Sequence, residues 1–145
     1  DHLDYLSNMR FTHIQLHGNE STSRVKEIND KYNFKIIKAI NISSSKDLVN
    51  LETYSPYVDS FLLDSLPAKN IPGGTGKKFN WEIIKNLSTN RTFFLSGGLN
   101  LTNIVNAVNL GKTNYFDVSS GVENSEGIKD RKLITEFIKK AKSAI

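Results

Sequence analysis

The feature that most constrains this chain is a regular alternation of short apolar runs with helix-spaced segments. Residues 11–16 form a strand-like run ending at Gly18, and Val25, Ile28 and Tyr32 then recur at helical spacing. An Ile-rich run over 35–42 leads to Ser44, a helix-capping residue type, and to a short helix carrying Leu48 and Leu51. A third run, 60–64, opens a Pro/Gly-rich loop reaching Lys78, where Asn80 can cap a helix and Phe79 and Ile84 sit at staple positions. A fourth run, 92–95, ends at Gly97-Gly98, and Asn100 begins a helix through Ile104, Val105 and Val108. The fifth, 115–118, precedes Ser119-Ser120-Gly121 and a final helix whose apolar stripe is Leu133, Ile134, Phe137, Ile138 and Ala141. Ahead of all this, Leu3, Leu6 and Met9 recur every third residue, a helical pattern. Strand–helix repeats of ~20–30 residues imply an α/β protein with a parallel sheet and helical crossovers. An open doubly wound sheet and part of an eight-unit barrel both satisfy the pattern, and both place chemistry on loops after the carboxyl ends of the strands.

The 145 residues suit one domain over 1–145, and 38% hydrophobic residues are enough to fill a core. With no cysteine, disulfides, thiolate metal sites and a cysteine nucleophile are excluded within these residues. The net charge of +4 is mild and its 19 Lys and Arg are scattered, which favours a small anionic ligand over nucleic acid. No apolar run approaches the ~18–20 residues of a membrane span.

The glycines and acids gather at the strand ends. Pro72-Gly73-Gly74-Thr75-Gly76-Lys77-Lys78 lacks the first glycine and the Ser/Thr of a P-loop, so it reads as a glycine-hinged lid or as a plain connection. Gly97-Gly98 after a strand, and Ser119-Ser120 after the next, offer backbone N–H groups and hydroxyls to a phosphate. Asp64 ends the Phe61-Leu62-Leu63 strand, where an apolar setting raises a carboxyl pKa and suits a general acid; a turn-capping Asp is the alternative. Asp117, between Phe116 and Val118, is a second strand-end acid. His13 and His17 share one side of their strand. A zinc pair there has no nearby third ligand; His17 suits hydrogen bonding to a substrate, and His13 a place in the core.

Ile14-Gln15-Leu16-His17-Gly18, Leu62-Leu63-Asp64-Ser65 with Gly73-Gly74-Thr75-Gly76-Lys77, Leu95-Ser96-Gly97-Gly98-Leu99, and Phe116-Asp117-Val118-Ser119-Ser120-Gly121-Val122-Glu123 come in an order and spacing that resembles phosphoribosylanthranilate isomerase. That family is a single (β/α)8 TIM barrel of tryptophan biosynthesis. The resemblance implies an Amadori rearrangement without metal or redox cofactor, on a small phosphorylated substrate, by a cytoplasmic monomer or homodimer. It implies Asp64 as general acid, His17 and Asp117 as holders of the substrate and its amino group, and Gly97, Gly98, Ser119 and Ser120 around the phosphate. A non-catalytic phosphate-binding partial barrel and another phosphosugar-binding barrel enzyme are the alternatives.

The chain departs from that family in one respect. The family's general base is a cysteine in a Lys-Ile-Cys-Gly segment of the first strand, and an arginine further along meets the anthranilate carboxylate. This chain has no cysteine, and the resemblance starts near the helix before the family's fourth strand. The expectation is therefore a C-terminal portion of the enzyme, about five βα units, with an N-terminal third absent.

Overall fold

A computed structural model describes residues 2–65, 81–110 and 112–145. Its elements are α1 (His2–Ser7), β1 (His13–Leu16), α2 (Thr22–Lys31), β2 (Lys35–Ile42), α3 (Val49–Tyr54), β3 (Ser60–Ser65), β4 (Thr92–Leu95), α4 (Ile104–Asn109), β5 (Glu123–Ser125), β6 (Ile128–Lys129) and α5 (Arg131–Ala144). Short 3-10 turns cover Ser45–Leu48, Ser55–Tyr57, Trp81–Asn86 and Ser120–Val122.

β1 to β4 form one sheet in the order β1-β2-β3-β4, and each neighbouring pair is parallel. A doubly wound sheet would reverse its strand order, and this one does not. Alternation along the strands separates two faces. Leu16, Ile36, Ile40, Ile42, Phe61, Leu63, Phe93 and Leu95 join Val25 and Ile28 of α2, Leu51 of α3, Ile104, Ala107 and Val108 of α4 and Phe137 of α5 in one apolar cluster. The helices thus close one face. Residues of the other parity, including Gln15, Ala39, Asn41, Leu62, Asp64 and Phe94, line the opposite face, and none of them belongs to that cluster.

Local chemistry sets the helix ends. Ser21 caps α2 by accepting from Arg24 N at 3.2 Å, and Lys31 complements the dipole in its last turn. Asp130 caps α5 by accepting from Lys132 N at 2.7 Å and Leu133 N at 3.0 Å. Ser44 caps as expected, with Asp47 Oδ2 accepting from Ser43 N at 2.9 Å and Ser44 N at 2.8 Å. α1 docks on α2 through Asp4, which accepts from Lys31 Nζ at 2.8 Å and Tyr32 Oη at 2.7 Å.

Several boundaries differ from the sequence expectation. β1 begins at His13, leaving Phe11 exposed before it. The expected fifth strand over 115–118 is one parallel bridge, Leu95–Phe116, with Leu95 N bonded to Tyr115 O and Asp117 N to Leu95 O, each at 2.9 Å. Thr113 bounds it on one side: its hydroxyl donates to Phe93 O at 2.6 Å and accepts from Tyr115 N at 3.1 Å, so the N–H that a longer ladder would pair with β4 is already bonded. α4 starts at Ile104 rather than Asn100, because Asn100 Oδ1 accepts from Thr102 N at 2.8 Å and closes a turn first. Segment 81–86 is 3-10 rather than α. In α5 Leu133, Phe137, Ala141 and Ala144 face the core, while Ile134 and Ile138 are exposed, so the stripe is narrower than expected. The β5–β6 hairpin was not anticipated: Gly127 turns it with φ +77°. The glycine-rich segment 72–78, Phe79 and Asn80 lie outside the described residues.

Leu63 is fully enclosed on the helical face of β3. Leu63→Ala is expected to cost about 2–5 kcal/mol of stability, read by urea titration of the far-UV circular dichroism.

Candidate active site

The face of the sheet opposite the helices and the loops at its carboxyl end carry most of the polar residues singled out from the sequence. Asp64 is the fifth residue of β3 and pairs in register with Asn41 of β2. His17 follows the last residue of β1. Two strands apart means backbones about 9.6 Å apart, yet His17 Nε2 lies 3.7 Å from Asp64 Oδ2. The two side chains lean toward each other across β2, where small Ala39 stands one residue past the Leu16–Lys38 pair. At 3.7 Å they are within reach of charge interaction but beyond a good hydrogen bond. His17 Nδ1 is 3.3 Å from Gln15 Oε1, so a neutral ring bonded there holds its proton on Nδ1 and turns the Nε2 lone pair toward Asp64. His17 is half exposed and Asp64 26% exposed, so a ligand can reach both. His13, expected in the core, is exposed and bonded to Thr12 Oγ1 at 2.8 Å.

Asp117 belongs to the bridge segment and accepts from Ser96 Oγ at 3.2 Å. Ser96 is buried, so its hydroxyl holds the exposed Asp117 carboxylate in one orientation. Gly97 and Gly98 take φ of +83° and +73°, a left-handed pair that turns the chain sharply at the end of β4. Their loop is held by Asn103, which is 2% exposed and donates from Nδ2 to Gly98 O at 2.9 Å while accepting from Asn100 N at 2.8 Å. The six-residue α4 adds little dipole, which leaves the glycine turn itself as the place where the sequence analysis expects a phosphate.

The second loop, Ser119 and Ser120, touches the first at the backbone. A Cβ on Gly121 would stand 1.8 Å from Leu99 O, so only glycine allows the two turns to meet. Lys129 of β6 donates to Ser119 Oγ at 2.9 Å and is ion-paired with Glu123. An ammonium only donates, so Ser119 is the acceptor and its own hydrogen is left for another partner. Donors of both loops therefore lie at the same end of the sheet as the Asp64–His17 pair.

A model of the N-(5'-phosphoribosyl)anthranilate isomerase family matches residues 3–140. The chain belongs to this family. It is 39% identical over 133 residues to the N-(5'-phosphoribosyl)anthranilate isomerase of Nitrobacter winogradskyi, a match covering 90% of this chain and 59% of that protein. The chain thus spans about three fifths of the length of this curated relative. Among solved structures, the phosphoribosylanthranilate isomerase of Thermotoga maritima superposes with a TM-score of 0.81 at 35% identity, over 97% of this chain and 66% of the other. A second phosphoribosylanthranilate isomerase structure, in complex with reduced 1-(o-carboxyphenylamino)-1-deoxyribulose 5-phosphate, gives 0.75 at 32% identity, over 97% and 64%.

Four positioning groups escaped the sequence reading. Ser96, Asn103 and Lys129 show no pattern that distinguishes them from other polar residues. Lys38 did leave a signal, a charge on the helix-facing parity of an Ile-rich strand. Its ammonium is 3.0 Å from Glu20 Oε2, and Glu20 Oε1 accepts from Gly18 N at 3.0 Å. Burial alone would raise the Glu20 carboxyl, but the adjacent Lys38 ammonium, with the Gly18 N–H, holds it below the ordinary glutamate value. A value lowered by folding stabilises the fold above the ordinary glutamate range, and that contribution is lost as pH falls from that range through the lower folded value. The stability gap between wild type and Glu20→Gln should therefore narrow across that acid window in urea titrations at stepped pH. A gap independent of pH would show that the Glu20 charge contributes nothing.

Proposed function

We propose that the chain supplies the general acid and the phosphate site of a (β/α)8 isomerase that converts N-(5-phosphoribosyl)anthranilate to 1-(2-carboxyphenylamino)-1-deoxyribulose 5-phosphate. The observation that carries this reading is Asp64, reachable at the carboxyl end of β3 and facing His17, at the same sheet end as two abutting donor loops. The solved relative holding a reduced form of that phosphorylated product supports the substrate class.

In this reading the phosphate rests on the N–H groups of Gly97 and Gly98 and the hydroxyls of Ser119 and Ser120. That contact fixes the ribose over the carboxyl end of the sheet, within reach of Asp64. Asp64 gives its proton to the ribose ring oxygen as the C1–O bond breaks, and the amino nitrogen lone pair forms the Schiff base. Removal of the C2 proton by a base then yields an enolamine, which becomes the ketone. His17 and Asp117 hold the substrate and its amino group, Asp117 in the orientation set by Ser96. In the family the base is a cysteine, and these 145 residues contain none. The barrel and the base both need strands beyond those present here, and the edges at β1 and Phe116 are where they would pair. The complete enzyme, monomer or homodimer, then uses one such site per chain and no metal or redox cofactor.

Asp64→Asn keeps the shape but cannot deliver a proton. In the complete encoded protein it should lower turnover roughly 10²–10⁴-fold with KM changed far less. Single-turnover kinetics on folded variant, within a few-fold of wild type, would remove Asp64 from this role.

Gly98→Val tests the phosphate site. A Cβ there meets nothing within 4 Å, and the left-handed backbone at φ +73° costs a β-branched residue at least about 1–2 kcal/mol, so the folded fraction is measured alongside. Titration calorimetry should show the phosphorylated product bound at least about tenfold more weakly, while a product lacking the phosphate loses no affinity.

A further inference from the structure

Lys38 is the one charged side chain enclosed to 3% exposure among the described residues. It sits in mid-strand on the helical face of β2, opposite the face that carries Asp64. An ammonium in such a place is costly unless each N–H finds an acceptor. Its acceptors are Leu16 O at 3.3 Å, Gly18 O at 2.9 Å and Ala39 O at 2.9 Å, with Glu20 Oε2 alongside at 3.0 Å. Leu16 and Gly18 are the two neighbours of His17. Glu20 adds a second tie to the same turn by accepting from Gly18 N, and Tyr54 Oη donates to Glu20 O at 2.7 Å. The backbone on both sides of His17 is thus clamped from beneath, while its side chain projects to the other face toward Asp64.

We propose that Lys38 is a positioning residue for catalysis, one that reaches no substrate and acts by clamping the carbonyls flanking His17 so that the imidazole stays against Asp64. The inference rests on the isomerase reading given above, and it adds a residue outside the reacting site on whose placement His17 depends. A turn held by carbonyl-to-ammonium contacts resists displacement more than an unanchored loop, and displacements near 1 Å at a reacting centre can cost ~10²-fold in rate.

The test is a double-mutant cycle in the complete encoded protein, joining Lys38→Met with His17→Ala and reading kcat and KM separately. Lys38→Met is expected to lower kcat roughly tenfold to a hundredfold with KM within about twofold. In the His17→Ala background the same change should alter kcat less than about twofold, because the group it positions is gone. Lys38→Met leaves Glu20 enclosed without its cation, so the cycle is repeated with Lys38→Met/Glu20→Gln and with Tyr54→Phe, which loosens the same turn without stranding a charge. Equal losses in both backgrounds, or a kcat unchanged in the folded variants, would overturn the proposal while leaving the isomerase reading intact. A wild-type protein without isomerase activity overturns that reading and this inference with it.

Discussion

Between β2 and β3 six residues pair in parallel, from Ile37–Ser60 to Ile42–Ser65, and a slip of one residue there would turn every side chain to the wrong face. The correct register sends Ile36, Ile40, Phe61 and Leu63 into the helices. The same register sends Ala39, Asn41, Leu62 and Asp64 to the opposite face. Apolar burial on one side therefore decides where the acid stands on the other. His17 is brought to Asp64 by the adjoining β1–β2 register, in which Leu16 meets Lys38. The catalytic reading thus depends on the packing of residues that touch no ligand.

The strand cores were legible because short apolar runs ending in glycine or aspartate, each followed by helix-spaced residues, have few other uses. β2 and β4 have the expected bounds, and β3 runs one residue further. What sequence did not resolve is where a side chain replaces a backbone partner. Thr113 Oγ1 takes the Tyr115 N–H and bounds the fifth strand on one side, and Asn100 makes a turn where a helix start was expected. The hairpin at Glu123–Lys129 was hidden for another reason. Strands of three and two residues are too short for any periodicity to register.

The family resemblance carried more of the site than periodicity could. Asp64 as acid and Asp64 as turn cap are the same letter at the same place, and periodicity does not separate the two roles; the structure adds that the carboxylate faces His17. The supporting groups are a different matter. Asn103 and Ser96 are polar residues enclosed because each satisfies a loop or an acid, and nothing in their neighbours announces this. Such residues are identified by their hydrogen bonds alone.

Gly121 bears on how this end of the protein can be altered. With a Cβ only 1.8 Å from Leu99 O, the turn after β4 and the turn carrying Ser119 and Ser120 are in contact at their main chains. Neither can be grafted, lengthened or randomised by itself, since any shift in one displaces the other. A library aimed at either turn would have to exchange both as one cassette, with position 121 left out of the randomisation.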